Sequence, residues 1–206
     1  MKKHSDYCSC NHFHEHIGYP RLTLRWPLSL FFISISFIVM RPFIVRQLTS
    51  RASSYMTCES FNDAIRSYKK AVFIDKRNVA AWDMLGYSYK INDDLKNAIY
   101  AYREAIKADP KDKSANFSLG VILASEKEYK EAIPYFEKIR ALGPQERGPV
   151  IDIVSYHKSS LKLLIVCYEA LKEFNKRDSA LEELHRYYPE DNMILGETKS
   201  RRLLKQ

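Results

Sequence analysis

This 206-residue sequence predicts an all-α fold built from stacked helix pairs, and three observations carry that expectation. Val79–Asp112 and Lys113–Glu146 read as the same 34 residues written twice. Leu85-Gly86 falls on Leu119-Gly120, Ala98 on Ala132, Tyr102 on Phe136, Ala105 on Ile139 and Pro110 on Pro144. Each copy also holds two amphipathic runs. In the first copy these are Trp82, Leu85, Gly86 and Tyr89, then Leu95, Ala98, Ile99, Tyr102 and Ala105, all at helical spacing. Finally, Asp109-Pro110 stops the second run, because proline lacks an amide donor and turns the residue before it away from the helix. Gly86, Ala98, Gly120 and Ala132 are small where two antiparallel helices would cross, and the aromatics fill the space between pairs.

Composition narrows the class. The hydrophobic share of 46% with 28% charged residues belongs to a globular chain carrying an added apolar segment. The net charge is +8, yet Lys69-Lys70, Lys111, Lys127 and Lys176-Arg177 are scattered along helix faces. That is the pattern of a solvated surface rather than of a nucleic-acid footprint, so no nucleic acid partner is expected. Four cysteines in a chain of this length do not make a disulfide framework, and Cys58 and Cys167 read as small packed residues.

Residues 1–25 form a polar leader. Within it Cys8, Cys10, His12, His14 and His16 sit at even spacing, so an extended chain presents all five on one face. Thiolate and imidazole together suit zinc, copper or nickel. No second cluster closes a structural site, and a leader without a core cannot orient its ligands. The plain reading is a polar leader with unspecific metal affinity, and the chemical one is a metal-handling tail.

Residues 26–45 read as a single-pass membrane anchor. Trp26–Met40 is uncharged throughout, 15 residues, against the roughly 20 that cross a bilayer core. With Arg41 snorkelling, the stretch extends to Val45 and reaches that length, Trp26 then lying at an interface. Arg21 and Arg25 on one side nearly balance Arg41, Arg46 and Arg51 on the other. The lean is towards repeats outside the cytoplasm. A chain starting at Met40 would lack the anchor.

Residues 46–78 hold a degenerate first copy of the unit. Its second helix is well formed, with Phe61, Ala64, Ile65, Tyr68, Ala71 and Val72 in place, but Arg51-Ala52 stands where Leu-Gly recurs. A terminal repeat lacks a neighbour on one face and is expected to be atypical. Residues 79–112 and 113–146 are the two full copies. In residues 147–190 the register breaks at Gly148-Pro149. A long helix is expected from about Val150 to Phe174, then a second with Ala180, Leu181, Leu184 and Tyr187. Together they make a diverged unit with about a dozen residues inserted. Residues 191–206 are expected to be a capping helix or tail.

These residues resemble the tetratricopeptide repeat, whose pattern runs W-x-x-L-G-x-x-Y and then A-x-x-x-F, A and P. Val79–Asp112 meets it with Trp82, Leu85, Gly86, Tyr89, Ala98, Tyr102 (for Phe), Ala105 and Pro110, while Lys113–Glu146 departs at Asn116 and Leu123. The resemblance implies a helix-turn-helix solenoid of three to four pairs, preceded here by the membrane-spanning helix. It also implies a concave groove lined by first helices, at Met56, Asp83, Tyr87, Lys90, Phe117, Val121 and Ala124. Such a floor suits a protein or peptide partner, with self-association open. A family clamp for terminal carboxylates uses Lys and Asn at places that here hold Thr49, Ser53, Met84, Ser114 and Ser118, so that clamp is not expected.

No Gly-rich phosphate loop, H-E-x-x-H or G-x-S-x-G occurs. Neither an enzyme nor a cofactor is expected. The function read from the sequence is a membrane-anchored scaffold binding a partner in the groove. Beside it stand a soluble adaptor starting near Met40 and a metal-handling protein using the leader.

Overall fold

Hydrophobic periodicity becomes eight helices and no strand among the described residues of the computed structural model, which are 28–144 and 155–191, with side chains from 39 onward. The helices are α1 (Leu28–Thr57), α2 (Phe61–Ile74), α3 (Val79–Ile91), α4 (Leu95–Ala108), α5 (Lys113–Ser125), α6 (Tyr129–Ala141), α7 (Tyr156–Ala170) and α8 (Phe174–Tyr187). They pair in chain order, α1 with α2, α3 with α4, α5 with α6 and α7 with α8. The chain divides after Asp75 into two compact units.

In the first unit α1 packs on α2 through Val45 and Ala52 against a face that buries Ala64, Ile65, Tyr68, Ala71 and Val72. Arg41 reaches Asp75 at 3.2 Å, and the Ser53 and Tyr68 hydroxyls meet at 3.1 Å. Helix α1 is 30 residues long and contains Pro42. It therefore runs without a break through the boundary expected between residues 45 and 46. Among the described residues no helix is long and apolar enough to cross a membrane. The side chains of Leu28–Ile38, within the expected anchor, lie outside the described residues. So do Cys8, Cys10, His12, His14 and His16, and the expected tail beyond Asp191.

The second unit stacks its pairs through α4 on α5, α6 on α7 and α5 on α7. Its first helices start on side-chain caps: Asn78 accepts from the Ala81 amide, Asp112 from Ala115 and Ser155 from Lys158. The core follows the self-match, with Leu85, Tyr102 and Ala105 buried in one pair and Leu119, Phe136 and Ile139 in the next. A Cβ on Gly86 would lie 2.8 Å from Tyr102 Cε1, and one on Gly120 2.7 Å from Phe136 Cε1. Each glycine is thus the seat of the aromatic ring opposite it. Asn116, standing in the tryptophan place, is fully buried and does what the indole does. Trp82 Nε1 donates to the Lys76 carbonyl at 2.9 Å, and Asn116 Nδ2 donates to Pro110, again six residues back, at 3.2 Å.

The fourth pair corrects the expected long helix. Helix α7 ends at Ala170, and Phe174 opens α8 instead of closing α7. Lys172 takes a left-handed φ of 60°, and the Glu173 amide donates back to the Tyr168 carbonyl at 2.8 Å. Cys167 is a buried free thiol, as expected, whereas Cys58 is disulfide-bonded, against its reading as a packed residue.

Candidate functional site

Six of the seven groove residues expected from the sequence lie in the second unit. Asp83, Tyr87 and Lys90 follow one another at about one-turn spacing along α3, and Phe117, Val121 and Ala124 do the same along α5. Tyr87 is 44% exposed and Lys90 is exposed, while Asp83, Phe117, Val121 and Ala124 are half-buried. Met56 is half-buried on α1, in the first unit.

Two cross-links assemble the floor. Asp83 Oδ2 accepts a hydrogen bond from the Ser114 hydroxyl at 2.9 Å, joining α3 to α5. The Phe117 ring stands edge-on to Tyr156 at 5.5 Å and to Phe136 at 6.2 Å, joining α5 to α7 and to its own partner α6. Phe117 is therefore shared between groove and packing, and Tyr87 is the more open aromatic of the two. Ser114, one of the places where a clamp would carry a charged or amide group, here serves Asp83.

The electrostatics of this floor are unusual in one respect. Asp83 Oδ1 is shut off from solvent and has no hydrogen-bond partner. Burial raises the Asp83 carboxyl from 3.8 to about 6, Ser114 opposes the rise, and Asp112 adds to it. No Lys or Arg among the described residues pairs with it. Beneath, Tyr102 is 1% exposed and its hydroxyl likewise has no partner in hydrogen-bond geometry. Burial pushes that hydroxyl up, Ser118 opposes from nearby, and Asp83, Tyr87 and Tyr156 all repel its ionised form. Sequence reasoning listed Asp83 and Tyr87 as groove residues and Ser114 and Ser118 as places of a clamp that is not expected, but missed Tyr102 and Tyr156 as parts of the same floor. Tyr102 sits at a packing position, and Tyr156 follows a break in the repeat, so spacing alone carried no signal for them.

A second polar assembly lies between α6, α7 and α8. Arg140 Nε donates to Glu183 at 2.6 Å and Nη1 to Glu137 at 3.2 Å, while the Tyr168 hydroxyl donates to Glu137 at 2.7 Å. His157, buried, lies 3.3 Å from Glu183 and 3.2 Å from the Tyr188 hydroxyl. Lys158 and Lys162 both contact buried Asp191 at 2.8 Å. These links tie the last pair to its neighbour. Among the described residues no group of three or more His, Cys, Asp or Glu side chains could hold a metal.

Comparison with known proteins agrees with this architecture. A tetratricopeptide repeat family model matches residues 49–113 and 84–147. A crystal structure of MamA is similar over 79% of this chain and 84% of its own, with 24% identity and a TM-score of 0.57. MamA from Desulfovibrio magneticus RS-1 is similar over 71% of this chain and 77% of its own, at 19% identity and TM-score 0.58. YrrB, described as a TPR protein with an unusual peptide-binding site, is similar over 83% of this chain and 88% of its own, at 18% identity and TM-score 0.58. At these identities the likeness is one of fold. No curated protein sequence matches the chain.

Proposed function

We propose, from the premise that this chain is a member of the tetratricopeptide repeat family, that it is a scaffold holding a partner peptide against the first helices of its second unit. The family's fold serves protein–protein interaction. The observation that carries the finer reading is the face on α3 and α5. There an exposed Tyr87 and a half-buried Phe117, Val121 and Ala124 surround a polar floor, with Lys90 at its rim. Aromatic and apolar surface of this kind takes the side chains of an extended or helical peptide, and its few polar groups set orientation. The mechanism is equilibrium recognition on a preformed surface.

Peptides selected from a random display library on the wild-type protein provide the test. Replacing Tyr87 and Phe117 together by Ala is expected to weaken their binding about tenfold or more, the effect of removing central aromatic anchors. Fluorescence anisotropy reads the affinity, and circular dichroism checks that the helices persist. Equal affinity in the double variant would remove this face from the proposal.

The same reading includes attachment to a membrane through the N-terminal part of α1. Its support is the uncharged run ending at Met40, the exposed Val39 and Met40 at its end, and the exposed Phe43 just beyond Arg41. The repeats then lie on the side of the membrane away from the cytoplasm.

A further inference from the structure

We infer that the floor around Asp83 is a subsite for a cationic side chain, Lys or Arg, of the bound peptide. This rests on the groove reading above and adds the chemical class of residue that the groove selects.

The argument starts from unmet valences. Asp83 uses one carboxyl oxygen on Ser114 and leaves the other enclosed and unpartnered. Tyr102, an almost fully buried residue, leaves its hydroxyl without a partner in the same electrostatic neighbourhood. Buried polar atoms are nearly always satisfied, so the enclosed Asp83 oxygen, with the Tyr102 hydroxyl in its electrostatic neighbourhood, calls for a group that supplies hydrogens. Both can accept. An ammonium carries three donors and a guanidinium five, with no acceptor to waste.

Charge points the same way. Asp83 is pushed up by burial and by Asp112, and no cation of the described chain relieves it. A guest cation would supply the missing counter-charge, whereas a carboxylate guest would be repelled. A purely apolar guest would leave both oxygens unsatisfied. The walls also suit a cation, since Tyr87, Phe117 and Tyr156 bring three aromatic rings to the face. Tyr87 lies one turn along α3 from Asp83 and is exposed, so its side chain can change rotamer as a guest enters.

The test is an NMR titration of the full-length protein with acetyl-arginine-methylamide, and with the neutral isostere acetyl-citrulline-methylamide as control. The expected result is saturable shifts of the Tyr87, Ser114 and Ser118 amides with the arginine probe alone. The titration midpoint of the Asp83 carboxyl should fall below about 6 at the same time. In Asp83→Asn the arginine affinity should drop about tenfold with helicity retained. Equal shifts from citrulline, or an unchanged affinity in Asp83→Asn, would overturn the subsite. The library peptides separate this inference from its premise. Binding lost in the Tyr87/Phe117 variant but untouched in Asp83→Asn leaves the groove standing and removes the cation subsite. Arginine binding that needs Asp83, beside peptides indifferent to Tyr87 and Phe117, keeps the subsite and removes the peptide groove.

Discussion

Asp83 is where local chemistry and fold stability pull apart. Its carboxyl sits at about 6 in the folded protein against 3.8 ordinarily, chiefly through burial. The native state thus holds this proton more tightly than the unfolded chain does. Its contribution to stability is full below about pH 3.8 and is lost as pH rises through about 6. Above that window a charged Asp83 destabilises the fold. Asp83→Asn is therefore expected to be more stable than wild type at pH 7.5 by about 1–3 kcal/mol, the gap closing towards pH 4. Thermal unfolding of both proteins at the two pH values measures it, and a constant gap would mean that the carboxylate is not under strain. A residue that costs stability on an open face fits a binding role better than a packing one. Gly86, Gly120 and Asn116 show the opposite case. Each is explained by its own repeat, through a ring against the missing Cβ or a bond to the loop six residues back.

At the scale of elements, the turn inside each pair repeats more faithfully than the sequence that makes it. Glu59, Asp93, Lys127 and Lys172 all adopt positive φ, at intervals of 34, 34 and 45 residues. After each, an amide donates five residues back: Ser60 to Tyr55, Asp94 to Tyr89, Glu128 to Leu123 and Glu173 to Tyr168. Glycine would reveal such a turn in a sequence, but none of the four is glycine. Each residue accepts a left-handed backbone at roughly 1–2 kcal/mol because the pair on either side holds it. That is why the helix expected to continue to Phe174 ends at Ala170. The last pair depends on Glu183, which binds Arg140 and neighbours His157. Glu183→Ala leaves a largely buried guanidinium with Glu137 and the Ser179 hydroxyl and should cost about 1–3 kcal/mol in urea unfolding. Burial, more than Glu183 can offset, lowers the His157 pKa, so the native state binds that proton less tightly than the unfolded chain. Stability from His157 falls as pH drops below 6.5. A loss under a few tenths of a kcal/mol on Glu183→Ala would show that the contacts are ornamental.

For the whole molecule, α1 is the exceptional element, 30 residues where the other helices have 13 to 15. Among the described residues its buried positions are Val45 and Ala52, both in its C-terminal half. If its N-terminal half enters a bilayer, the protein should stay with membranes through carbonate extraction. Protease added to intact, membrane-enclosed cells should digest the repeats. Recovery in the soluble fraction would end the anchored reading, and protection until lysis would turn the repeats to the cytoplasmic side.

By itself the sequence determined the helical class, the 34-residue unit and which residues face the core. These follow from spacing within one helix pair, where a small residue, an aromatic or a proline acts on neighbours a few turns away. Only the tertiary structure decided which groove residues share a floor. It also decided that Asp83 lacks a counter-charge, and that Arg140, Glu183 and His157 close the last pair. The physical reason is distance along the chain. Asp83 meets Ser114 across 31 residues and Arg140 meets Glu183 across 43. Burial and unmet hydrogen bonds arise only when separate pairs stack.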